Sequence, residues 1–184
     1  MNFLPLLTAI VAFAFTVALA RQYIERRKFH QILWTFAMLF YGIAALMEFL
    51  MNPDVLGPSV IAFKVYYILS APLVGLLGAG VMYLLASKRI ADIFLAFIAL
   101  LSVALLVTGF MTPLDEAIIV EAFEGPLGEA FHAAVDAYPM TVRRYAIITN
   151  IVAASPSSSE PYTASSRTDA GHTTSSSSPA GLCR

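Results

Sequence analysis

Charge is scarce in this chain. Only 12% of its 184 residues are Asp, Glu, Lys or Arg, while 59% are hydrophobic. A soluble domain carries about 25% charged residues, so the polar surface needed to cover a fold in water is missing. A basic excess is missing too: 11 Lys and Arg against 12 Asp and Glu leave a net charge of -1, which argues against a nucleic-acid partner. The single cysteine, Cys183, can form no internal disulfide, and no zinc-type Cys/His spacing accompanies it. The sequence holds no Ser/His/Asp arrangement, no paired aspartates inside an apolar run and no metalloprotease helix. Nothing in it argues for an enzyme, and no cofactor is expected.

Long apolar runs take the place of that polar surface. Crossing ~30 Å of hydrocarbon at 1.5 Å per residue takes about 20 mostly apolar residues in a helix. Four segments qualify: Phe3 to Ala20, Ile32 to Met51, Val65 to Ser87 and Ile93 to Met111. They lack the alternation of barrel strands, so the predicted fold class is all-α, a polytopic transmembrane bundle with four clear spans. Its first expected partner is the lipid bilayer, and other transmembrane helices or further copies of the chain come second. A signal peptide ending at "ALA" (Ala18 to Ala20) is disfavoured. The run before it has no basic leader, and its 18 residues exceed the usual length of about 7 to 15.

A fifth apolar segment, Tyr145 to Ala154, is too short. Ten residues rise only ~15 Å as a helix, about half a bilayer. It runs into 155–184, thirty residues with ten serines and no Ile, Val, Phe, Met or Trp. Such a tail cannot bury enough apolar surface to offset its ordering entropy and is expected to be disordered. The abrupt change has two readings: an authentic polar tail behind a half-inserted segment, or a reading-frame shift near Ile151 that replaced further spans. The second is the expectation here.

Orientation follows from the basic residues, which favour short cytoplasmic loops. Arg21, Arg26, Arg27 and Lys28 follow the first span, and Lys88 and Arg89 follow the third. The other side holds Lys64 and the Arg143–Arg144 pair, with six acids and no Lys or Arg between Thr112 and Val142. The N-terminus is therefore expected outside a cell membrane.

Glu48 is the one acid well inside a span, about one turn from its end, and Lys64 opens the third span at the same level. The pattern reads as an intramembrane Glu48–Lys64 pair, or as a bond from Tyr66 or Tyr67 to the Glu48 carboxylate. A proton or cation relay is the functional alternative, but one shallow acid without deeper partners favours a structural role. In the third span Ala71, Gly75 and Ala79 recur every four residues, a face on which another helix can approach closely, and Pro72 adds a bend. In the loop before the fifth segment, Leu127, Phe131, Val135 and Tyr138 share one helical stripe, while Glu129, His132 and Asp136 share another. This predicts an amphipathic helix over 127–138 lying on the membrane surface. Glu129 and His132 also have the Glu-x-x-His spacing of carboxylate-bridged metal sites. Such sites need two pairs, so no metal is expected.

The stretches "ERRKFHQILWTF" and "KVYYILSAPLVGLLGAGVMYLL", with an acid late in the second span, resemble a prokaryotic family of multi-pass membrane proteins. The family is uncharacterised and has about seven bilayer-length spans. The similarity covers roughly residues 1–150 and implies a longer bundle, with no known activity attached. A looser similarity links the chain to the seven-helix sensory regions of bacterial histidine kinases, though no kinase portion is present. The expected role is a membrane-embedded, non-catalytic sensor-like or scaffold component associating through the Ala71–Gly75–Ala79 face. The alternative is a small transporter or channel subunit, for which Ser70, Ser102 and Thr108 would have to converge near the midplane.

Overall fold

A computed structural model describes residues 3–123 and 133–154. Those residues form an all-α bundle with four helices long and apolar enough to cross a membrane. They are α1 (Leu4–Arg26), α2 (Phe29–Leu50), α3 (Val60–Leu85) and α4 (Lys88–Met111). A short α5 (Glu116–Phe123) and a final α6 (Met140–Ala154) follow. The expected disordered tail, 155–184, lies outside the described residues.

The helices outrun the apolar segments at their charged ends. α1 continues through Arg21 and Glu25 to Arg26, and α4 starts at Lys88. Arg, Lys, Glu and Gln are good helix formers, and their long stems lie along the helix while the charge reaches the interface. Hydropathy falls there, but the backbone ladder has no reason to stop. The first turn is made by Arg27, which takes the left-handed conformation (φ 54°) and donates its N–H to the Tyr23 carbonyl. Two-residue connections at 27–28 and 86–87 make the flanking helices antiparallel neighbours. They also gather Arg21, Arg26, Arg27, Lys28, Lys88 and Arg89 at one end of the bundle, called here the basic end. Asp54, Asp115, Glu116, Glu121 and Asp136 lie at the other, the acidic end.

α3 is the centre of the bundle and packs against α2, α4 and α6. Ala71, Gly75 and Ala79 are all buried, and what covers them belongs to the same chain. A Cβ at Gly75 would meet the Ile98 side chain of α4 at 2.5 Å and Thr149 of α6 at 3.4 Å. Next to this row, a Cβ at Gly78 would meet the Ala153 carbonyl oxygen of α6 at 2.5 Å. The expected use of this face for association with other chains is thus corrected: the face is occupied within the chain. On the α2 side Gly80 admits Trp34, whose indole Nε1–H donates to the Leu77 carbonyl at 3.3 Å. α1 is peripheral and buries only Ala9 and Ala12.

The fifth segment is longer than its apolar core. α6 begins at Met140, directly after Pro139, and its 15 residues rise about 22 Å. It buries Val142, Ala146, Thr149 and Ala153. At i, i+4, i+7 and i+11 these lie on one face, and Thr149 and Ala153 meet α3 at Gly75 and Gly78.

The connection before α6 is a roof over the acidic end. Ile119 and Phe123 of α5, Ala134 and Tyr138 all join the core cluster built on Met51, Phe63, Tyr67 and Leu105. Tyr138 stacks on Tyr67 with ring centroids 4.6 Å apart and on Phe63 at 6.0 Å. Half of the helix expected over 127–138 lies outside the described residues; at its end Ala134 and Tyr138 are 0% and 1% exposed and belong to the core cluster. Residues 124–132 lie outside the described residues.

Candidate functional site

The second and third helices carry Glu48 and Lys64 to the acidic end, but the structure does not join them. The Lys64 ammonium donates to the carbonyls of Phe110 (3.1 Å) and Thr112 (2.7 Å), at the C-terminal end of α4. Carbonyls in a last helical turn have no intrahelical donor and carry the negative end of the helix dipole, so a cation there is well placed. The expected Glu48–Lys64 pair is therefore replaced by a cap on α4. Replacing Lys64 with methionine keeps the apolar stem and removes the charge. It should lower stability by about 1–2 kcal/mol, measured as thermal unfolding in detergent micelles. An unchanged midpoint would mean that the α4 end is held by other groups.

Glu48 faces a cavity of about 320 Å³ between α1, α2 and α3. Tyr41, Tyr66, Thr8 and Ser70 share its lining, with Leu4 and Leu73 among the apolar walls. The residues come together by helical spacing. Tyr41 and Glu48 are seven apart on α2, Tyr66, Ser70 and Leu73 are four and three apart on α3, and Leu4 and Thr8 are four apart on α1. Glu48 is only partly buried and takes part in none of the hydrogen bonds or ion pairs among the described residues. The hydroxyls beside it are committed as donors: Thr8 gives its proton to the Leu4 carbonyl at 2.9 Å, and Ser70 to Tyr67 at 2.9 Å. What they turn toward the cavity is lone pairs. The cavity is thus lined by one carboxylate, hydroxyl acceptors and two phenol rings.

The candidates for a polar path behave differently. Ser102 donates to Ile98 at 2.7 Å and Thr108 to Ala104 at 2.6 Å, each in its own helix. Ser70 donates in the same way, so the protons of all three hydroxyls are used within their own helices. In the polar cluster expected before α6, Asp136 accepts an ion pair from Arg143 Nη1 at 2.7 Å. This exposed pair links the roof to the first turn of α6. Glu129 and His132 lie outside the described residues. At the basic end Tyr83 donates to Asp92, and Gln31 is buried with its Oε1 unpaired among the described residues.

Tyr41 and Thr8 were not singled out from the sequence, though the seven-residue step from Tyr41 to Glu48 was a usable signal. Thr8 gave none, because its place depends on how α1 leans on α2. No family model, curated protein or solved structure matches this chain. The functional reading rests on the site alone.

Proposed function

We propose that the chain is a non-catalytic, sensor-like or scaffold component of the cell membrane. It crosses the membrane four times with its N-terminus and acidic end outside, and α6 enters again from that side. The basic end supports this orientation, because six Lys and Arg residues gathered beside the two short connections match the cytoplasmic preference of basic loops. One observation carries the non-transporting part of the reading. Ser70, Ser102 and Thr108 each donate to a carbonyl of their own helix, so none of the three hydroxyl protons is offered to a passing substrate. A transporter needs polar groups that replace the water its substrate leaves behind.

The test is a flux measurement with the full chain reconstituted in liposomes that enclose a pH-sensitive dye. An imposed pH gradient should decay no faster than in empty liposomes, with and without added sodium or potassium. Faster decay that depends on Glu48 would transfer the protein to the runner-up class, a small transporter or channel subunit. The orientation is checked separately in intact cells. An N-terminal epitope should be reached by antibody, and cysteines introduced at Arg27 or Ser87 should not be reached by an impermeant thiol reagent.

A further inference from the structure

A second hollow adjoins the cavity at Glu48. This one, of about 390 Å³, runs between α1 and α2 and is lined by Leu7, Val11, Phe15 and Met38, with Thr8 and Tyr41. Thr8 and Tyr41 also line the Glu48 cavity, so the two hollows share a boundary. Their chemistries are opposite. One end has a carboxylate, hydroxyl lone pairs and phenol rings, and the other is apolar and lies along a helix long and apolar enough to cross a membrane. From Leu4 to Phe15 the lining descends α1 by about 16 Å, away from the acidic end.

A ligand matching both hollows has a cationic head that donates hydrogen bonds and an extended apolar tail. A primary ammonium fits the head position: it donates three hydrogen bonds and accepts none, the carboxylate gives it a charge-assisted partner, and tyrosine rings attract cations at their faces. A hydroxyl or amide head would leave the carboxylate without a counter-charge. A phosphate beside the ammonium fits poorly, because the two hollows are lined by no Lys or Arg and Lys64 is engaged on the α4 carbonyls. We propose that the adjoining hollows bind one membrane-dissolved amphiphile with a primary ammonium head and no phosphate, its head at Glu48 and its alkyl tail along α1 between Leu7 and Phe15. This deepens the sensor-like reading by naming its ligand class, and it rests on that reading only for the side from which the ligand enters.

The experiment is equilibrium dialysis of radiolabelled octylammonium against the full chain in phosphatidylcholine nanodiscs, with empty nanodiscs giving the partition background. One saturable site per chain is expected, and 1-octanol at equal concentration should not displace the probe. Glu48→Gln should weaken binding about tenfold or more. Thr8→Phe leaves the carboxylate in place and fills the boundary between the hollows, so it should abolish binding while keeping the wild-type circular dichroism. Uptake no greater than in empty nanodiscs would overturn the proposal, as would wild-type affinity in either variant. Displacement of octylammonium by phosphatidylethanolamine built into the nanodiscs would overturn it as well, moving the site to a phospholipid headgroup. A chain that binds octylammonium and also dissipates a pH gradient keeps its ligand and loses the non-transporting role. One that does neither keeps the role and loses the ligand.

Discussion

Replacing Gly78 with leucine should detach α6 from the bundle. The first atom of any side chain at that position would sit 2.5 Å from the Ala153 carbonyl oxygen and 3.3 Å from the carbon behind it. Those are backbone atoms, and no rotamer change can move them aside. Overpacking of a close contact ordinarily costs about 1–3 kcal/mol, and relief here requires the whole helix to shift. Part of the α6 buried face, with Thr149 and Ala153, lies against the same row of α3, so the shift would expose it. The check is thiol accessibility. With Cys183 changed to serine and Thr149 to cysteine, the thiol should be protected from maleimide in micelles. Adding Gly78→Leu should bring it to the labelling rate of an exposed position. Continued protection would mean that the roof and Arg143 hold α6 without the groove.

Tyr138→Ala should give the largest loss of stability among single truncations at the acidic end. The ring is 1% exposed, stacked on Tyr67 and Phe63, and sits where the roof, α3 and α4 meet. Removing a buried aromatic ring costs about 3–5 kcal/mol. Tyr138→Phe keeps the ring and drops only a long hydroxyl bond to the Gly109 carbonyl, 3.5 Å, so it should remain close to wild type. The two variants also separate a pH effect. Burial, followed by the neighbouring Tyr67 phenol, raises the Tyr138 hydroxyl above the ordinary tyrosine value. A phenol harder to ionise when folded contributes stability that is fully present below the unfolded tyrosine value, about pH 10, and is lost as pH rises toward the folded one. Wild type should therefore lose unfolding temperature above about pH 10, and Tyr138→Phe should lose less. Equal alkaline losses would place the effect on other groups.

The four long helices were legible because a bilayer-length apolar run has few other uses, and their ends were not. Glu25, Arg26, Lys88 and Arg89 lower hydropathy without lowering helix propensity, so apolar boundaries fell short of the helical ones. For the small residues of α3, the sequence showed that something approaches closely but not what. Ile98, Thr149 and Ala153 are far along the chain from Gly75 and Gly78, and a row of small side chains carries no mark of its partner. Lys64 illustrates the opposite limit. Glu48 was the obvious counter-charge in the list of residues, but carbonyls at the end of α4 are also negative and are not written as charges in a sequence. The cavity was the least legible feature. Its polar residues follow helical spacing, but the hollow lies where α1, α2 and α3 meet, and no local pattern encodes how three helices meet.

The groove on α3 also sets an order of assembly. Chains are synthesised from the N-terminus, so α3 exists well before the α6 residues that lie against its glycine row. Until Ala153 is synthesised, Gly78 lacks the backbone that lies against it in the finished bundle, while Gly75 already has Ile98 of α4 to meet. A foreign transmembrane segment that seats there first would exclude α6, and with it the ion pair between Arg143 and Asp136. The contact at Gly78 is thus among the last that the described chain can make as it is synthesised.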